Sequence, residues 1–309
     1  MSLIKGPKVK GYIEINENVR FMRNVATRYA LPWSQIFFVD GVNGSDTKNT
    51  GRTPDRAFAT IGKAVSVAAR GDVIYVRPKT YTIGAGFGRY TEAVSVLLAQ
   101  SDLSIIGVTN SLNPEYGPRW AKTDAGYNLI NDGPALHLEN LGFFSEGATN
   151  TALLRNSDTP GSERYGANGT TFYNCVVKGG KISIQCGDGV VIRNCFFHGS
   201  AGVTGGITAT YGVNPGRRLR IRDCIFHEGN GAVVDTAYIY INLFTEVVIA
   251  DCYFATVPTD THYIEAITST GFIVNCTFGV ADMTLATGII KGGLIAVNLA
   301  DGKFPAQLD

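Results

Sequence analysis

Ile192-Arg193-Asn194-Cys195-Phe196-Phe197 is one copy of a pattern that returns along the chain and decides its architecture. It recurs as Phe172-Tyr173-Asn174-Cys175-Val176-Val177, Ile221-Arg222-Asp223-Cys224-Ile225-Phe226, Ile249-Ala250-Asp251-Cys252-Tyr253-Phe254 and Ile273-Val274-Asn275-Cys276-Thr277-Phe278. The template is apolar, any, Asn or Asp, Cys, any, apolar. Leu138-Glu139-Asn140-Leu141-Gly142-Phe143 is a degenerate earlier copy with Leu in the Cys place. From Asn140 onward the Asn/Asp positions lie 34, 20, 29, 28 and 24 residues apart. A constant template at variable spacing describes a repeated structural turn joined by loops of differing length, whereas helical repeats hold their period more strictly. Alternating apolar residues rich in β-branched and aromatic types indicate strands. The alternation slips once per copy, at Asn/Asp, as a bend between two short strands requires; these residues tolerate the left-handed conformation.

Stacked copies make a parallel β-solenoid, each coil about 4.8 Å above the last. Three columns follow. Cys175, Cys195, Cys224, Cys252 and Cys276 form an inward ladder; Val177, Phe197, Phe226, Phe254 and Phe278 form a second; Asn174, Asn194, Asp223, Asp251 and Asn275 line the bend. The thiols recur at coil spacing with no CxxC pair, so they are expected to pack as small hydrophobes and to bind no metal. Cys186, in a strand-like run, takes the same reading.

Composition agrees. Of 309 residues, 37 are Gly and only 17% are charged, against about 25% for an average domain. This leans towards all-β structure and excludes a disordered chain or a dense disulfide scaffold. A formal net charge of +1 predicts no nucleic-acid partner. No apolar run has the length of a secretory signal or a membrane span, so no membrane partner is expected. Residues 1–36 hold six basic side chains (Lys5, Lys8, Lys10, Arg20, Arg23, Arg28) against Glu14 and Glu17. Such a leader is either a docking segment or a solvated arm.

A solenoid needs its ends covered. Thr53-Pro54-Asp55 carries helix-start signals, Phe58, Ile61, Val65 and Ala68 fall on one face, and Arg70-Gly71 closes the run, so a capping α-helix is expected near 54–70. Phe38-Val39-Asp40-Gly41, Arg52-Thr53-Pro54, Phe58-Ala59-Thr60-Ile61 and Gly71-Asp72-Val73-Ile74-Tyr75-Val76-Arg77-Pro78 together resemble the opening segment of the pectin-lyase-like right-handed parallel β-helix superfamily. With the later coils, the resemblance spans roughly residues 37–280. It implies an all-β fold, a single-stranded right-handed parallel β-helix with an N-terminal capping helix. The expected organisation is a basic arm (1–36), the β-helix (37–287) and a C-terminal cap or contact segment (288–309).

The resemblance does not reach catalytic residues. Polygalacturonase-like members are similar in carrying Asn-Thr-Asp, Asp-Asp, Gly-His-Gly and Arg-Ile-Lys, none of which occurs here. No catalytic residue, metal ligand or cofactor is assigned. One outward column is singled out: Lys178, His198 and His227, each three residues after a ladder Cys. Its functional reading is an anion or acidic-glycan contact, or a pH-sensitive patch; its structural reading is solvated strand ends. Long polar stretches at 155–168 and 211–217 are where binding loops would lie.

These features lead to a non-enzymatic structural component of a phage virion: a capsid decoration, fibre or spike protein. The arm would attach to other virion proteins, a homotrimer is what resemblance to phage spikes implies, and a host surface glycan is a partner of the projecting body. The alternatives are a glycan-active enzyme (depolymerase, lyase or hydrolase) and a carbohydrate-binding protein without turnover.

Overall fold

A computed structural model describes residues 34–82, 86–108, 117–122, 127–145, 152–154, 166–185, 187–199, 206–210, 216–227, 238–255, 263–279 and 290–297. Most of the arm, and with it Cys186, His262 and the centres of the long loops, lies outside these.

The chain winds as a parallel β-helix whose coils contribute one strand to each of three parallel sheets. Sheet I runs from Ile36–Val39 through strands such as Thr171–Tyr173, Val191–Arg193, Arg220–Arg222 and Val247–Ala250. Sheet II includes Val176–Lys178, Phe196–His198, Ile225–His227 and Tyr253–Phe254. Sheet III includes Lys181–Ile184, Gly206–Thr210 and Ile239–Asn242. The long strand Ile264–Val274 joins sheets III and I, pairing with Ile239–Asn242 through its first part and with Val247–Ala250 through its last. The small Tyr81–Thr82/Gly86–Phe87 hairpin is antiparallel.

The corner from sheet I to sheet II is the sequence template made solid. Asn140, Asn174, Asn194, Asp223, Asp251 and Asn275 all have φ between 50° and 55°. Left-handed backbone is costly for most L-residues, and Asn and Asp enter it because their short polar side chains bond locally. Asn174 Nδ2 donates to Asn140 Oδ1 (2.6 Å), Asn194 Nδ2 to Asn174 Oδ1 (3.0 Å), and Asn275 Nδ2 to Asp251 Oδ1 (2.7 Å).

The next residue points inward. All five ladder cysteines are buried free thiols. Each Sγ donates to a carbonyl one coil earlier: Cys175 to Leu138, Cys195 to Phe172, Cys224 to Ile192, Cys252 to Ile221 and Cys276 to Ile249, all at 3.7–3.8 Å. Burial pushes the Cys195 thiol up, which keeps it protonated and unreactive. Sheet II adds an aromatic column. Phe197–Phe226, Phe226–Phe254 and Phe254–Phe278 stack at 4.7, 4.8 and 4.9 Å with rings within 8° of parallel. Tyr90, Trp120, Phe143 and Val177 continue that column towards the N-terminal end.

The cap differs from its expected bounds. Pro54–Arg56 is a separate 3-10 turn, and the α-helix is Ile61–Val67. Between them Phe58 bridges Val39, which holds the chain extended. Thr60 is the effective N-cap, accepting from Lys63 N at 3.1 Å. Glu92 supplies a carboxylate to the same end, accepting from Ile61 N (2.9 Å) and Gly62 N (2.7 Å). Ile61, Ala64 and Val65 are buried, so this face closes the N-terminal end of the core. At the far end the stack continues past residue 287: Ile290–Val297 pairs in parallel with Ile264–Val274 as a further layer.

Candidate functional site

Because the interior is filled, chemistry must come from outward side chains. On sheet II the structure brings Lys178, His198 and His227 into one column, in direct register across three strands. The imidazoles of His198 and His227 stack at 5.3 Å and 12°. Phe196 lies 5.9 Å from the first ring and 6.5 Å from the second. His227 Nδ1 is buried with no hydrogen-bond partner among the described residues. Ile225 and Tyr253, opposite each other in the adjoining column, are 43% and 45% exposed. The face therefore offers an ammonium, two imidazoles and an apolar strip.

His137, isolated in the sequence and read from it as structural or exposed, belongs elsewhere. It pairs with Glu139 Oε2 at 2.9 Å on the outer side of sheet I, where both are nearly buried. Tyr75 lies nearby, and burial, helped by the Glu139 charge, pushes its phenol up to about 12. Val73, Tyr75 and Ile106 form a buried apolar cluster on this side.

Sequence reading passed over a second cationic column. Tyr173, Arg193 and Arg222 are in direct register on the outer face of sheet I, and Arg220 lies opposite Val191 in the neighbouring column. All three arginines are exposed. The signal was present, since each of Tyr173, Arg193 and Arg222 precedes the Asn/Asp of its template, but it falls at a position that tolerates any residue. On sheet III, Ser183, Thr208, Tyr240 and Glu265 make a half-buried polar column. Among the described residues no group of His, Cys, Asp and Glu is placed to hold a metal ion. No helix there is long and apolar enough to cross a membrane.

Comparison with known proteins places the architecture among the parallel β-helix folds. An alginate lyase from Paenibacillus sp. is similar over 77% of this chain and 91% of its own, at 15% identity and a TM-score of 0.51. A pectin methylesterase from carrot is similar over 87% and 84%, at 12% identity and a TM-score of 0.47. The ORF18 protein of Geobacillus virus E2 is similar over 91% and 63%, at 9% identity and a TM-score of 0.42. No protein-family model matches the chain, and no curated protein matches it by sequence. At these identities the likeness is one of fold, and function rests on the site.

Proposed function

We propose that this chain is a non-enzymatic structural component of a phage particle, a β-helix body carried on a basic arm. The supporting observation is the continuous pairing of sheet I from Ile36 to Val297, with a filled core along it from Phe37 to Cys276. Each coil is clamped by the coils before and after, so the body is a stiff rod that keeps its outer faces in fixed array. The arm attaches to other virion proteins, and the body projects towards the host surface. A homotrimer is the proposed assembly, and a host surface glycan the proposed contact. Immunogold labelling and mass spectrometry of purified particles test this. The chain is expected at the particle surface; its absence from particles that infect normally overturns the reading.

One observation favours a second reading, a glycan-active enzyme. Tyr240 and Glu265 face each other on adjacent strands of sheet III, both half-buried. A phenol beside a carboxylate can relay a proton, and a protein of similar fold is an alginate lyase. Incubation with alginate and absorbance detection of unsaturated uronates decides. Turnover lost in Tyr240→Phe would replace the structural reading with the enzymatic one.

A further inference from the structure

At the start of sheet I, side chains that point away from the core are nevertheless buried. Ile36, Val73, Ser104 and His137 stand in register in one outward column, and Phe38, Tyr75, Ile106 and Glu139 in the next. Val73, Ser104, Tyr75 and Ile106 are 0, 2, 3 and 4% exposed. Val73, Tyr75 and Ile106 form a cluster separate from the main core, and the apolar residues packed against it, Ile36, Phe38 and Val108, belong to the same strands or directly follow them. Neighbours within a sheet do not cover its face, because side chains stand out from it. Another part of the same chain therefore lies over these strands. The cover ends by Tyr173, which follows Glu139 in its column and is 37% exposed. It reaches back to the first described residue: Ser34, two positions before Ile36, has its Oγ buried with no hydrogen-bond partner. Gln35 N donates to Asp72 Oδ1 at 2.7 Å, which fixes the chain at this entry.

We infer that this face is the docking site of the basic arm, which lies outside the described residues, and that residues 19–30 sit on it as an amphipathic helix laid along the solenoid axis. Three features carry the inference. Val19, Met22, Val25, Ala26 and Tyr29 recur at three- and four-residue spacing, which puts them on one side of a helix, while Arg20, Arg23, Asn24, Thr27 and Arg28 fall on the other. Asn18 stands before this run and Pro32 after it, as helix-start and helix-stop signals do. Val19 to Tyr29 spans about 15 Å as a helix, and the covered strands, Ile36–Val39 to His137–Glu139, span about 14 Å at their usual separation. The join sets the direction, because the Tyr29 end must lie at the first coil for residues 30–33 to lead into Ile36. Segment 109–116 also adjoins the face, but Leu112 and Tyr116 are its only large apolar residues, and it joins strands of a single coil. A second copy is not needed, since the burial is complete within one chain. Docked in this way, the helix turns Arg20, Arg23 and Arg28 away from the body, as a basic surface for an acidic partner. The inference goes beyond the proposed function, since it concerns the isolated chain and holds whether or not that chain resides in a virion.

Hydrogen–deuterium exchange of the isolated full chain tests it, with peptides over 19–30 and over 109–116 read separately. Exchange over 19–30 is expected to be slowed by about tenfold or more relative to an unstructured peptide, independently of protein concentration. Met22→Asp/Tyr29→Asp should return these peptides to the unprotected rate and open Arg20, Arg23 and Arg28 to trypsin, with the strand Val191–Arg193 still protected. Ile106→Lys, on the outward side of the sheet, should release the arm from the body's side; if it fails to fold, the arm variant decides alone. Arg20→Gln/Arg28→Gln should keep the protection. Unprotected 19–30 in the wild type, protection that Met22→Asp/Tyr29→Asp leaves intact, protection over 109–116 without any over 19–30, or protection that vanishes on dilution, as a second copy serving as the cover would give, overturns the inference.

Discussion

Ile221 and Arg222 are chain neighbours, yet they belong to columns of opposite kind. The inward column through Ile221 is apolar in every coil: Ile74, Ile105, Leu138, Phe172, Ile192, Ile221, Ile249, Ile273. The outward column through Arg222 runs Tyr75, Ile106, Glu139, Tyr173, Arg193, Arg222, Ala250, Val274. Inside, each side chain touches the one above and below, and a misfit leaves a void that nothing refills. Outside, water accepts almost any residue, so that column is free to be covered, charged or left plain. The stack makes the body, and the outer columns give it whatever specificity it has.

The sharpest way to break this contrast is within the inner stack. Phe226→Ala removes a ring held between Phe197 and Phe254. It should cost about 3–5 kcal/mol, read as a lower urea midpoint at an unchanged slope. The corner comes next. Asn194→Ala forces an ordinary residue to φ 54° and removes the Asn174 contact; the expected loss is roughly 1–2 kcal/mol, with most of it recovered in Asn194→Gly.

The third effect is smaller and pH-dependent. Burial raises the Glu92 carboxyl above the usual glutamate value, against the lowering by the Gly62 and Ile61 amides. An acid whose folded pKa is raised takes up its proton more readily when folded. Wild-type stability relative to Glu92→Gln should therefore be greatest below the usual glutamate range and decline as pH rises through the raised value. Urea unfolding across a pH series checks this; a difference that grows with pH would contradict it. Smallest of all, Arg222→Gln should leave stability within about 0.5 kcal/mol, as exposed substitutions generally do, when measured by the same unfolding curves.

Much of the fold was legible because inward packing and the left-handed corner each restrict residue type. Only Asn, Asp or Gly sits cheaply at φ near 50°, and a small apolar thiol fits the place beside it, so five copies announce themselves over uneven spacing. The cap was legible in kind but displaced. Thr53-Pro54 carries the local start signal, but Phe58 is claimed by a bridge to Val39, and the amides at Ile61 and Gly62 are met by Glu92 from a later coil. A cap satisfied from some thirty residues away leaves no local mark. The site was less legible. Lys178, His198 and His227 were found because they follow the thiols at fixed distance, while Tyr173, Arg193 and Arg222 sit where the template permits anything.

The amino-acid sequence alone determined the coil, its corner and its filled interior, because burial and backbone sterics act on residues only a few positions apart. Tertiary structure alone decided where the helix begins, that Ile290–Val297 adds a layer, and which outward side chains become neighbours. Those outcomes depend on register between coils twenty or more residues apart, and loop lengths that vary from coil to coil hide that register from any local pattern.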